Sequence, residues 1–76
     1  MVNAEKDKYL KVFGARISEM RQNKGLSQSQ LSDLTELDVM TISRIERGLL
    51  NISIINSYKI ALALEVSQKE LFDFNL

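Results

Sequence analysis

The chain has 76 residues with no cysteine, histidine or proline, and its ten basic and ten acidic side chains cancel. That length makes one domain with a modest core. The missing cysteines exclude disulfides and thiolate metal sites, and the missing histidines remove the commonest general base and transition-metal ligand.

With glycine confined to positions 14, 25 and 48, little interrupts helix formation. The pattern predicts an all-α fold of five helices over residues 9–76, with residues 1–8 set apart as an N-terminal arm. The first helix spans residues 7–23, where Leu10, Phe13, Ile17 and Met20 recur at helical spacing, and Gly25 ends it. Ser27-Gln28-Ser29-Gln30 fits a capping box opening a second helix, with Leu31 and Leu34 facing inward and an end near Thr35. Asp38 suits the N-cap of a third, with Ile42 and Ile45 as its apolar pair and Gly48 as its stop. Ser53 opens a fourth, given an apolar face of Ile54, Tyr58, Ala61, Leu62 and Leu64. Ser67-Gln68-Lys69-Glu70 reads as a second capping box, opening a short fifth helix through Leu71 and Phe72. No apolar run is long enough to span a bilayer, and MVNAEKDKYLK lacks a signal-peptide core, so a soluble, cytoplasmic chain is expected.

Charge is distributed unevenly. Residues 1–26 carry Lys6, Lys8, Lys11, Arg16, Arg21 and Lys24 against Glu5, Asp7 and Glu19, while the rest leans acidic. Zero net charge is not the profile of a nucleic-acid binder, and the charges could simply solvate a small domain. The second and third helices say more. Two short capped helices joined by Glu36-Leu37-Asp38, with Leu37 placed to plug between them, form a helix-turn-helix, whose second helix projects into a major groove.

The stretch GLSQSQLSDLTELDVMTISRIERG resembles the core motif of the lambda-repressor/Cro-like (XRE-type) helix-turn-helix family. The likeness covers residues 13–72, through FGARISEMR, GLSQ, TISRIERG, N-x-S before the fourth helix, and ALEVSQKELF. It implies a compact five-helix, lambda-repressor-like domain that binds double-stranded DNA, usually as a homodimer on a two-fold operator. Carried over position by position, it implies base contacts from Val39, Met40, Thr41 and Arg44. It implies phosphate contacts from Gln28, with Ser27, Ser43, Asn51, Arg47 and Lys24 beside it. Arg21 and Glu46 match an ion pair that ties the first helix to the third, a structural role. Gln28 as an ordinary first-turn residue remains the plainer alternative.

Four departures from the family pattern matter. Glu36 stands in the turn where glycine is frequent, and Ser32 replaces a small alanine. After Gly48, where basic or polar residues are common, the chain reads Leu49-Leu50-Asn51-Ile52-Ser53-Ile54-Ile55. Leu49, Leu50 and Ile55 are either core residues or an exposed patch for a partner. Lastly, Val39 and Met40 cannot hydrogen-bond a base through their side chains. They can pack on a thymine methyl, leaving Arg44 to fork onto guanine and Thr41 to assist; otherwise Met40 folds back onto the domain.

The expected function is therefore a sequence-specific, repressor-type transcriptional regulator. A phage-type repressor, a restriction–modification controller and an antitoxin-like autoregulator all fit. The alternative is a protein-interaction module on the same fold with weak or no DNA binding, meeting a partner at Leu49-Leu50. An enzyme is not expected: the serines sit at caps without a neighbouring base, and no phosphate-cradling glycine loop is present. No cofactor, metal or small-molecule ligand is implied. A homodimer must set two recognition helices about 34 Å apart. Tyr58, Leu62, Phe72, Phe74 and Leu76 are the expected surface, unless Phe72 completes the core and the last residues fray.

Overall fold

The computed structural model describes residues 3–76. It contains α1 (Asn3–Asn23), α2 (Gln28–Thr35), α3 (Val39–Glu46), α4 (Ile54–Leu64) and α5 (Gln68–Leu71), and no strand among the described residues. α1 packs on α3 and α5, α2 packs on α3 and α4, and α4 packs on α5.

α1 begins four residues earlier than its apolar stripe suggested. Residues 3–8 of the expected arm form its first turns, with Glu5 at the favourable end of the dipole. Met1 and Val2 lie outside the described residues. The helix closes through Gly25 at φ 77°, where the Leu26 N–H donates to the Arg21 carbonyl at 3.1 Å.

Both halves of the first capping box form. The Ser27 hydroxyl oxygen accepts from the Gln30 amide at 3.0 Å, and the Gln30 side chain accepts from the Ser27 amide at 2.8 Å. The following turn is held by two hydroxyls. Ser32 donates to the Leu37 carbonyl at 2.5 Å, a bond that alanine could not make. Buried Thr35 donates to the Leu31 carbonyl at 2.8 Å and accepts from the Leu37 amide at 3.3 Å. Leu37 plugs against the core from between the two helices. Glu36 adopts the left-handed conformation, φ 63°, that its place in the turn demands. At the second box only one half forms: Ser67 accepts from the Glu70 amide at 3.2 Å, with no reciprocal bond among the described residues.

Phe13, Ile17, Leu31, Ile42, Ile45, Ile60, Ala61, Leu64 and Leu71 make the core. Two expected faces need correction. Leu34 does not face inward; it is exposed. α4 buries Ser57, Ile60, Ala61 and Leu64, while Ile54, Tyr58 and Leu62 stand outward. Small residues decide that choice. Ser57 fits inside by donating to the Ile54 carbonyl at 2.7 Å and accepting from the Gln68 amide at 2.7 Å, which ties α5 onto α4. The loop after α3 divides: Leu50 and Ile52 pack against the core, Leu49 and Ile55 are exposed. Where α1 crosses α3 the backbones nearly touch at Gly14. A Cβ there would meet the Ile45 carbonyl oxygen at 2.3 Å.

Candidate nucleic-acid interface

α3 owes its direction to its two buried isoleucines. Ile42 and Ile45 are each 1% exposed, which turns the opposite face outward. On that face Val39 is 48% and Met40 54% exposed, so Met40 does not fold back onto the domain. Thr41 is half-buried and Arg44 exposed, and Arg44 takes part in no ion pair among the described residues. Asp38 caps this helix by accepting from the Thr41 amide at 2.7 Å. That amide, then the Thr41 hydroxyl, holds the Asp38 carboxyl below the usual carboxylate range, with nearby Arg44 adding to the effect.

Behind the face lies a network of three side chains and one backbone carbonyl. The Arg21 Nε and Nη2 donate to the two Glu46 carboxylate oxygens at 2.7 and 3.0 Å, and Nη1 donates to the Leu26 carbonyl at 2.7 Å. The Glu46 bonds raise the Arg21 guanidinium above its ordinary pKa. The side chains are only 12% and 5% exposed, so α1 and α3 are joined by a forked, charge-assisted bond shielded from water. Glu46 also accepts from the Gln28 amide nitrogen at 3.0 Å. Gln28 is therefore already anchored, and its second amide N–H makes no hydrogen bond among the described residues. The sequence carries no signal of that link, because its partners are eighteen residues apart on different helices.

The residues expected at phosphates do not all gather. Ser27, at the mouth of α2, uses its hydroxyl oxygen as a cap and keeps its proton. Ser43 is half-buried on α3, and the Arg47 Nε donates back to the Ser43 carbonyl at 3.3 Å, the other guanidinium donors making no hydrogen bond among the described residues. Asn51 is exposed just before Ser53, the α4 cap. Lys24 departs from the set: its ammonium pairs with Glu65, at the C-terminal end of α4. Eleven residues of helix put that end about 16 Å from the Ser53 end. The same pairing holds the Glu65 carboxyl below its usual range. Sequence reasoning also missed Arg16, whose guanidinium donates twice to the Glu70 carbonyl, at 3.2 and 3.3 Å, fastening α1 to α5.

The expected dimer residues divide too. Tyr58, Leu62 and Leu76 are exposed. Phe72 stacks on core Phe13 at 5.0 Å yet keeps a face in solvent, and Phe74 turns inward against Tyr9 at 5.2 Å. Leu62 instead lies beside Leu34 of α2.

Residues 17–71, most of the chain, match a helix-turn-helix family profile. The control protein C.BamHI of Bacillus amyloliquefaciens is 41% identical over 64 residues, spanning 83% of this chain and 79% of that relative. An uncharacterized HTH-type transcriptional regulator, y4dJ of Sinorhizobium fredii, is 34% identical over 61 residues, spanning 80% of this chain and 79% of its own. Among solved structures, the restriction-modification controller protein C.AhdI from Aeromonas hydrophila superposes with a TM-score of 0.82 at 44% identity, covering 83% of this chain and 96% of that one. A hypothetical transcription factor, NHTF from Neisseria, superposes at 0.81 with 33% identity, covering 88% and 77%.

Proposed function

The chain belongs to the XRE-type helix-turn-helix family of DNA-binding transcription regulators, and we propose that it acts as a homodimer on a two-fold operator with α3 in the major groove. It is a regulator, not an enzyme. The observation that carries the finer reading is the outward face of α3, where Val39, Met40 and Arg44 are exposed beside half-buried Thr41. Arg44 forks onto guanine; Val39 and Met40 exclude water from a thymine edge and pack on its methyl. Gln28, held by Glu46, and Asn51 flank the helix and hold phosphates, with Ser27, Ser43 and Arg47 beside them.

Likeness to a restriction-modification controller at 44% identity favours the same role here, control of a restriction–modification operon from the cytoplasm. The second copy meets this one through the outward face of α4, Ile55, Tyr58 and Leu62, extended by Leu34 of α2. Exposed Leu49, at the end of α3, favours a second reading in which a protein partner joins at that point.

The test is fluorescence anisotropy on the DNA flanking the protein's own gene against a shuffled duplex. Preferential binding is expected, weakened by Arg44→Ala by about 1–3 kcal/mol. The expected log–log salt slope is about −4 for four or five phosphates. Equal, Arg44-independent affinity for both duplexes would refute base reading by α3.

A further inference from the structure

Residues 49–58 carry no charge at all, although Asn51 of the proposed interface lies among them, just before Ser53, the α4 cap. Cations reach this place from another part of the chain. α1 runs alongside the loop, and its stripe of Lys6, Tyr9, Leu10 and Phe13 faces Asn51 and Ser53 across a groove of about 350 Å³ that no acidic residue lines. Lys11 lies against the start of the same loop. A Cβ on Gly48 would come within 2.7 Å of the Lys11 Cα and 2.8 Å of its Cγ, so the lysine stem crosses the residue that opens it.

The basic residues of α1 and the turn after it fall into two groups. Arg16, Arg21 and Lys24 are all engaged, with Glu19, Glu46 and Glu65. Lys6, Lys8 and Lys11 are exposed and form no ion pair among the described residues. Lys6 lines the groove and Lys11 lies against Gly48, whereas Lys8 does neither.

We infer that Lys6 and Lys11 bind backbone phosphates of the DNA strand passing Asn51 and Ser53, so that α1 supplies the positive charge the loop lacks. The inference rests on the DNA-binding reading above. It makes the first turns of α1 part of the interface, although the helix never enters a groove. A flexible four-carbon stem suits a contact with phosphate, which needs a point charge and no fixed orientation. Such contacts add affinity without sequence preference.

The test measures binding of the full chain and its Lys6→Gln, Lys11→Gln and Lys8→Gln variants to a mixed-sequence duplex and to the DNA flanking its gene, as a function of salt. Each of the first two substitutions should reduce the magnitude of the log–log slope by about 1.8 per dimer, two phosphates at about 0.9 each. Raising salt from about 50 to 200 mM then costs the wild type roughly tenfold more affinity than the variant. Lys8→Gln should leave the slope unchanged, and the ratio between the two duplexes should stay constant throughout. Wild-type binding with slopes unaltered by Lys6→Gln and Lys11→Gln overturns this inference alone. An equal change in all three variants also overturns it, since only total charge would then matter. Absence of wild-type binding to either duplex at low salt overturns the DNA-binding reading and this inference with it.

Discussion

Gly14→Ala is the substitution that best tests the packing of the interface helix. Glycine in the middle of a helix costs about 1 kcal/mol relative to alanine, so on propensity alone the change should stabilise. The structure argues the reverse. The new Cβ would lie 2.3 Å from the Ile45 carbonyl oxygen and 2.7 Å from that of Glu46, and both obstacles are backbone. Neither can rotate away, so α1 and α3 must separate by roughly 1 Å, and overpacking of this kind costs about 1–3 kcal/mol. With backbone as the obstacle we take the upper end; subtracting the propensity gain leaves a net loss of about 2 kcal/mol. In a domain this small that lowers Tm by roughly 10 °C. Separation of the helices also stretches the Arg21–Glu46 fork, which links them at 2.7 Å. Thermal unfolding followed by circular dichroism gives the sign directly. A Tm above that of the wild type would refute the close approach.

Glu46→Ala leaves the Arg21 guanidinium, only 12% exposed, without its partner and releases Gln28. The expected loss is about 3–5 kcal/mol, read from urea unfolding, against a total of roughly 4–11 kcal/mol for a chain of this length. Glu36→Gly removes left-handed strain of about 1 kcal/mol and adds about 0.5 kcal/mol of chain entropy cost, so a Tm rise of roughly 3 °C is expected. The Asp38 carboxyl is lowered by the Thr41 amide, so its charged form contributes stability that is complete above the ordinary carboxylate value, about 4. That contribution is lost as pH falls through the depressed folded value. Asp38→Asn keeps a cap oxygen without the charge, and its acid unfolding curve should be the shallower of the two below about pH 4.

The caps were legible in the sequence because each is decided within four residues. Ser27, Asp38, Ser53 and Ser67 all accept from the amide three positions on, as their residue types and spacing predict. Val39, Met40, Thr41 and Arg44 came from family resemblance, and the burial of Ile42 and Ile45 explains why those side chains face outward. Lys24 could not be placed by such means. Its charge is visible in the sequence, but its direction is set by Glu65, forty-one residues away. Gln28 shows the same limit, since the carboxylate that orients it belongs to another helix.

The inward face of α4 is only partly legible in the sequence, for a different reason that bears on assembly: Ala61 and Leu64 are buried as expected, Ile54, Tyr58 and Leu62 are not. A helix that is apolar around most of its circumference gives no clear stripe, so periodicity cannot say which side is the core. Ile54, Ile55, Tyr58 and Leu62 compete with Ile60, Ala61 and Leu64, and the contest is settled by Ser57 and Ala61, small enough for close packing. The losing side is left outward, with Ile54 79%, Ile55 64% and Leu62 60% exposed, and Leu34 of α2 adds to it. An isolated domain gains nothing from that exposure, which invites association. Burial against a second copy would remove the conflict between sequence and monomer. A two-fold axis there also gives each protomer the same α4 surface to meet, the self-complementary arrangement a dimer requires. Leu62→Glu puts a charge at that meeting point while leaving the core untouched. Sedimentation should then show a monomer with wild-type helix content, and an unchanged dimer would move the interface elsewhere.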